Sequence, residues 1–150
     1  VMELVARNLR PRDLCTREAF MNAARVVAAT GGSTNAALHL PAMASEAGID
    51  FDLFDVAEVF KSTPYIADLK PGGKYVAKDM HEAGGVYMAM KTLLDGGFID
   101  PNPITVTGKT IGENLEEITW NPDQKVFYDV KTPITPTGGV VGLKGSLAPD

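Results

Sequence analysis

Two glycines, three small polar residues and a histidine stand in one short stretch, Gly31-Gly32-Ser33-Thr34-Asn35-Ala36-Ala37-Leu38-His39. Glycine takes backbone angles closed to other residues. Ser33, Thr34 or Asn35 can cap a following helix with a side-chain oxygen. N–H groups and hydroxyls gathered at such a helix start suit a carboxylate, a phosphate or a buried polar ligand. A capped corner between two helices, with no ligand, has the same pattern. In Lys70-Pro71-Gly72-Gly73-Lys74-Tyr75, two lysines beside two glycines resemble a phosphate cradle, although the GxxxxGK[ST] pattern is absent. In Lys78-Asp79-Met80-His81-Glu82, three titratable groups, Asp79, His81 and Glu82, fall within four residues. They can serve as acid–base machinery or part of a metal site, or simply form a solvated helix start where acidic groups favour the dipole. His39 reads as a hydrogen-bonded core histidine, with a catalytic role as the alternative. Cys15 reads as a free thiol ahead of a helix, since no second cysteine or adjacent histidine supports a nucleophile. Two histidines and one cysteine offer no HxxxH pair, no disulfide framework and no full ligand set for an iron–sulfur cluster.

Ordinary soluble structure must position these groups. The chain of 150 residues is 45% hydrophobic and 22% charged, enough for one domain with a sizeable core. A formal net charge of −5 argues against a nucleic-acid or anionic-membrane surface. No run reaches the roughly 18 apolar residues of a membrane span. Val1 to Arg7 lacks the basic start and long apolar run of a secretory signal. With the lone cysteine, this points to a reducing, cytoplasmic compartment.

Along the chain, a helix over about 1–8 is broken at Arg10-Pro11. Thr16 caps a helix running to about Ala29, whose Phe20, Ala23, Ala24 and Val27 follow i, i+3, i+4, i+7 spacing and face a core. A helix over 34–47 carries Pro41, which predicts a kink, and ends at Gly48. Another spans 53–62, with Phe54, Val56, Val59 and Phe60 as its apolar side. Residues 65–69 read as a short strand and 70–75 as a loop. A helix starting near Lys78 pauses at Gly84-Gly85, resumes at Val86 and stops at Asp95-Gly96-Gly97. Ile104 to Gly108 reads as a strand. Thr110, with Glu113 in capping-box position, opens a helix over 111–118. A turn at Trp120 to Asp123, an extended run over 125–130, a loop over 134–139 and a buried-type strand over 140–145 complete the chain. It opens inside a helix and stops after a strand, and so reads as a piece of a longer protein.

Several of these blocks together resemble the dihydroxy-acid dehydratase/phosphogluconate dehydratase family. They are Gly31 to Leu40, Ala67 to Tyr75, His81-Glu82-Ala83-Gly84-Gly85-Val86, Thr105 to Thr110, and Pro136-Thr137-Gly138-Gly139 followed by Leu143 to Pro149. Each is weak alone; in order, they cover nearly the whole chain. The dihydroxy-acid dehydratases of branched-chain amino-acid synthesis look nearest, and sugar-acid dehydratases share much of the pattern. The resemblance implies an α/β fold: the mostly helical last part of the family's N-terminal domain over 1–133, then the first strand of a β-barrel-like C-terminal domain over 134–150. It implies a hydro-lyase that removes water from a small 2,3-dihydroxy acid to give a 2-oxo acid. It also implies an iron–sulfur cluster acting as Lewis acid and a magnesium ion at the carboxylate region, in a homodimer or homotetramer. A positive ion there stabilises charge that builds on the departing oxygen and the enolate.

The family's cluster cysteines, magnesium-binding acids and modified lysine lie in motifs upstream, and its proposed base serine lies in a Gly-Arg-Phe-Ser-type motif downstream. None of those motifs occurs in residues 1–150. The expectation is therefore that this segment binds neither cluster nor magnesium and holds no catalytic residue. Ser33, Thr34, Asn35, Lys70 and His81 stand as substrate-pocket candidates. Alternatives are a phosphogluconate, arabinonate or xylonate type sugar-acid dehydratase, a non-catalytic small-anion-binding module, and a scaffold piece that assembles with other chains.

Overall fold

A computed structural model describes residues 1–147. Eight helices form: α1 (Met2–Ala6), α2 (Pro11–Leu14), α3 (Arg17–Thr30), α4 (Ala36–Ala47), α5 (Leu53–Ser62), α6 (Ala77–Glu82), α7 (Gly85–Asp95) and α8 (Ile111–Leu115). Local signals set most of their ends. The Thr16 hydroxyl accepts from the Ala19 N–H at 3.2 Å and starts α3. Gly31 closes it at φ 59, and the Gly31 and Gly32 N–H groups reach the Ala28 and Val27 carbonyls. Asp52 caps α5, and Thr110 with Glu113 forms the capping box of α8. Gly84 and Gly85, both at positive φ, separate α6 from α7.

Helix α3 is the spine. One side gives Phe20, Ala24 and Ala28 to a cluster with Leu40 and Ala44 of α4, Phe51, and Val56, Val59 and Phe60 of α5. Phe20 stacks on Phe51 at 5.7 Å between ring centroids. Ala29 joins a second cluster with Ile66, Leu93, Ile99, Ile111 and Leu115. A third gathers Ala67, Ala83, Met88, Ala89, Val126 and Phe127. Alanines on α3 leave no side chain beyond a methyl, so neighbouring backbone can come close.

Asn22 is the polar exception on this spine, 2% exposed. Its amide donates to the Asp100 carbonyl at 2.9 Å and accepts from the Asp100 N–H at 3.0 Å. Asn22→Ala strands both backbone groups and is expected to cost about 1–3 kcal/mol in thermal unfolding. Asn22→Asp is expected to fail as a rescue, because a carboxylate cannot donate to the carbonyl.

No named strand forms among the described residues; isolated bridges stand in its place. Tyr65 to Leu69, expected as a strand, is extended and bridged at alternate residues. On one edge Tyr65 exchanges hydrogen bonds with Ile134 and Thr135. On the other, Asp68 donates to Val126 and Tyr128 donates to Ile66. The expected extended run over 125–130 is thus reduced to one bridge, Ala67 to Phe127.

Two expected strands are corrected. Ile104 to Gly108 is a turn: Ile104 bridges back to Thr110, and the Gly108 N–H donates to the Thr105 carbonyl. The side chains of Thr105, Thr107 and Asn114 hydrogen-bond one another across it. β-branched residues favour a strand only where a neighbouring strand receives them. The buried-type strand expected over 140–145, within the expected 134–150 start of a β-barrel-like domain, is not formed over Val140 to Lys144. That stretch runs beside α5 instead, with Gly142 close against Ala57 and the Lys144 ammonium 4.4 Å from the Phe54 ring centroid. Residues 148–150 of the same expected domain lie outside the described residues. Helix α8 also ends at Leu115 rather than at 118. Pro41 stands within α4.

Candidate functional site

Tyr65 gathers three glycine-rich stretches. A Cβ on Gly31 would lie 3.0 Å from the Tyr65 ring, and one on Gly139 would lie 3.1 Å from it. A Cβ on Gly72 would lie 3.6 Å from the Tyr65 hydroxyl. The corner after α3, the Lys70 to Tyr75 loop and the Thr137-Gly138-Gly139 loop therefore meet around one half-buried ring. The last of these docks by its backbone: Gly138 N–H donates to the Phe60 carbonyl at 2.8 Å, and Gly139 N–H to the Ala28 carbonyl at 2.9 Å. These are carbonyls of the last turns of α5 and α3, which have no partner within their helices. Burial, and then the charge of Asp68, pushes the Tyr65 phenol up from its ordinary value.

The five pocket candidates sit as follows. Ser33, Thr34 and Asn35 are exposed at the start of α4. The Ser33 hydroxyl accepts from the Asn35 N–H at 3.2 Å, and the Ser33 and Thr34 carbonyls accept from Ala36 and Ala37. None of the three caps α4 with a side-chain oxygen in the way the sequence suggests: Asn35, the N-cap residue, makes no such bond. Thr34 lines a groove of about 370 Å³ with Ala37, Phe54, Ala57, Lys61 and Leu143.

Lys70 is exposed, and its N–H donates to the Tyr75 carbonyl at 2.8 Å. Gly73 donates to Leu69, Lys74 and Tyr75 donate to Asp68, and the Lys74 ammonium lies 3.7 Å from the Asp68 carboxylate. These N–H groups close the loop on itself rather than opening towards a phosphate. His81 is exposed on α6. Its neighbours have other work: Asp79 accepts from the Val76 N–H at 2.8 Å, and Glu82 lies 3.8 Å from Lys78. Tyr65 thus brings the corner carrying Ser33 to Asn35 next to the loop carrying Lys70. His81 stands apart, on the helix whose Met80 and Ala83 pack with Leu69 and Tyr75.

His39, expected in the core, is exposed. Helix α4 buries Leu40 and Ala44, one turn apart, and a residue one step before Leu40 is rotated about 100° off that stripe. Phe54, expected on the buried side of α5, is 46% exposed and borders the groove. Cys15 is half-buried and packs against the cluster around Phe20.

Electrostatics elsewhere are structural. Arg17 pairs with Asp55 at 2.6 Å, lies 5.9 Å from the Phe51 ring centroid and donates to the Asp50 carbonyl. The Arg17 guanidinium, then the Asp52 N–H, holds the Asp55 carboxyl below its ordinary value. A depressed carboxylate contributes stability above its unfolded-state value, from about pH 4 upward, and loses it as pH falls through the lower folded-state value. Asp55→Asn is expected to cost about 1 kcal/mol at neutral pH, a figure limited by the solvent around the pair. The gap from wild type in melting experiments should close in the acid range below pH 4.

The residues present do not supply a full ligand set for an iron–sulfur cluster. One cysteine cannot hold a cluster, and no three His, Cys, Asp or Glu side chains converge among the described residues. No described helix is long and apolar enough to cross a membrane.

The described residues thus form a helical slab with three glycine-rich stretches drawn onto one ring. The chain belongs to the dihydroxy-acid/6-phosphogluconate dehydratase N-terminal family, whose profile matches residues 1–114. It is 66% identical over its whole length to a dihydroxy-acid dehydratase of Parvibaculum lavamentivorans, covering 26% of that protein. It is 68% identical over its whole length to a "dihydroxy-acid dehydratase 2" of Bradyrhizobium diazoefficiens, again covering 26%. A dihydroxy-acid dehydratase of Sulfolobus acidocaldarius is 51% identical over 152 aligned residues, the whole of this chain and 27% of that protein. The chain thus spans about a quarter of the length of the curated relatives it matches. The family is the one that the ordered blocks of the sequence resemble.

Neither Tyr65 nor Gly138-Gly139 stands out in the sequence as a site feature. The signal for the second was there: two adjacent glycines mark a close approach of backbone. Nothing local marks Tyr65.

Proposed function

We propose that the full-length protein is a hydro-lyase of the dihydroxy-acid dehydratase type, converting a branched-chain 2,3-dihydroxy acid to a 2-oxo acid for amino-acid biosynthesis. The observation that supports this is identity of 51% to 68% over the whole chain to proteins named for that activity. In this reading the iron–sulfur cluster and magnesium hang from parts of the protein outside these residues. The slab described here walls the cavity, with Ser33, Thr34, Asn35 and Lys70 on the side where the glycine loops meet and His81 further off. The whole enzyme would be a cytoplasmic homodimer or homotetramer.

The test is turnover by the full-length protein carrying its cluster and magnesium, offered a branched-chain dihydroxy acid or 6-phosphogluconate in parallel. Formation of the branched 2-oxo acid is expected. Turnover of the sugar acid alone, or of neither, overturns the reading. Residues 1–150 by themselves, given iron, sulfide and magnesium, are expected to turn over neither.

A further inference from the structure

We infer that Tyr65 is a positioning residue: its side chain, with the ring beside Gly31 and Gly139 and the hydroxyl facing Gly72, helps set the Lys70 to Tyr75 loop against the Ser33 to Asn35 corner. This rests on the proposed function for what the two stretches hold, but not for how they are held. The three glycines belong to stretches far apart in sequence, and each comes close to the same side chain. Gly139 faces the ring carbons, Gly31 faces both ring carbons and the hydroxyl, and Gly72 faces the hydroxyl alone. A Cβ on Gly139 would also fall 2.8 Å from the Gly31 Cα, so two of the stretches touch backbone to backbone beside the ring.

The backbone of Tyr65 is itself fixed. Its N–H donates to Thr135 at 3.0 Å and its carbonyl accepts from Ile134 at 2.9 Å. Its successor Ile66 donates to the Ala29 carbonyl at 2.8 Å, tying the segment to the end of α3. The ring therefore projects from a held strand-like segment into a junction whose other members are loops. The Lys70 to Tyr75 loop bonds by its backbone to itself and to Asp68 and Leu69, in the segment that follows Tyr65. To that backbone tie the Tyr65 side chain adds a contact between Gly72 of the loop and the ring that meets the Gly31 corner. Shifting a loop that contacts substrate weakens binding in ground state and transition state alike, which raises KM and leaves kcat in place.

The experiment uses the full-length, cluster-loaded enzyme with Tyr65→Leu and Tyr65→Phe, read by kinetics and by amide hydrogen exchange. For Tyr65→Leu, KM for the dihydroxy acid is expected to rise about tenfold with kcat within about twofold. For Tyr65→Phe, which keeps the ring beside Gly31 and Gly139 but removes the hydroxyl facing Gly72, KM should rise by less than in the Leu variant. Exchange in the Leu variant should rise together in residues 31–35, 70–75 and 137–139 and stay unchanged in α7. A Leu variant with wild-type KM overturns the inference, as does a rise in exchange confined to one stretch or spread evenly over the chain. If wild type itself turns over no dihydroxy acid, the functional reading falls and the exchange pattern alone decides whether Tyr65 couples the three stretches.

Discussion

Gly73→Ala is expected to unseat the Lys70 to Tyr75 loop, while Gly72→Ala, one residue away, is expected to leave it in place. A Cβ at Gly73 would lie 2.3 Å from the Asp68 carbonyl carbon and 2.6 Å from its carbonyl oxygen. Those atoms are backbone, and they cannot swing aside as the tip of a side chain can. They are also held: the Asp68 carbonyl accepts from Lys74 and Tyr75, and the Asp68 N–H donates to Val126. Relieving the clash means pulling the loop off the 65–69 segment and breaking the 2.7 Å bond from Gly73 N–H to Leu69. Overpacking of this kind costs about 1–3 kcal/mol where side chains can adjust, and backbone contact places this change at about 3 kcal/mol or beyond. At Gly72 an added methyl meets only the Tyr65 hydroxyl, at an ordinary 3.6 Å, so the change should stay within about 0.5 kcal/mol. Melting temperatures of the two variants of the full-length protein check the contrast. Equal melting would show that the loop does not lie against Asp68 as described.

This contrast also shows where the sequence is legible. Both glycines read as one turn signal, because glycine pairs mark loops whatever the loop touches. What separates Gly73 from Gly72 is a contact with Asp68, which no local pattern carries. Helix ends read well for the opposite reason. The caps at Thr16 and Thr110 and the stops at Gly31 and Gly48 work within one turn of chain, so the residues that cause them are adjacent to them. The 53–62 helix matches its expected span because Asp52 caps it and Pro64 follows it.

Strands read poorly because their stabilisation comes from partners. Ile104 to Gly108 and Val140 to Gly145 have the composition of strands, and neither finds a ladder among the described residues to complete it. The family blocks were legible at a coarser grain, as an ordered series, well before any one block could be assigned a task. The candidate site divides in the same way. The corner at Gly31 and the loop at Lys70 are visible as glycine clusters. Their meeting at Tyr65 depends on the bonds from the Ile66 and Ala67 N–H groups to the Ala29 carbonyl, a contact between residues far apart in sequence.

Ile66→Ala is expected to be among the costly side-chain truncations in the slab, at about 2–5 kcal/mol, with Ile66→Val at about 0.5–1.5 kcal/mol. Ile66 is 0% exposed and lies in the cluster of Ala29, Leu93, Ile99, Ile111 and Leu115. The cost of such a cavity depends on whether the surroundings can collapse into it. Here they are pinned. The Ile66 N–H is bonded to the Ala29 carbonyl at the end of α3, and its carbonyl accepts from Tyr128 at 2.8 Å. Leu93 and Leu115 belong to α7 and α8, held by their own backbone bonds. The void left by three carbons should therefore persist and place the loss in the upper part of the range. Ile104→Ala is the matching control: Ile104 is 48% exposed, so truncation should move stability by no more than about 0.5 kcal/mol. Thermal unfolding of the two variants measures the difference. Because Ile66 adjoins Tyr65 on the same bridged segment, the cavity should also loosen the glycine loops around that ring. Wild-type melting in Ile66→Ala would mean that the segment is not the buried centre on which the loops depend.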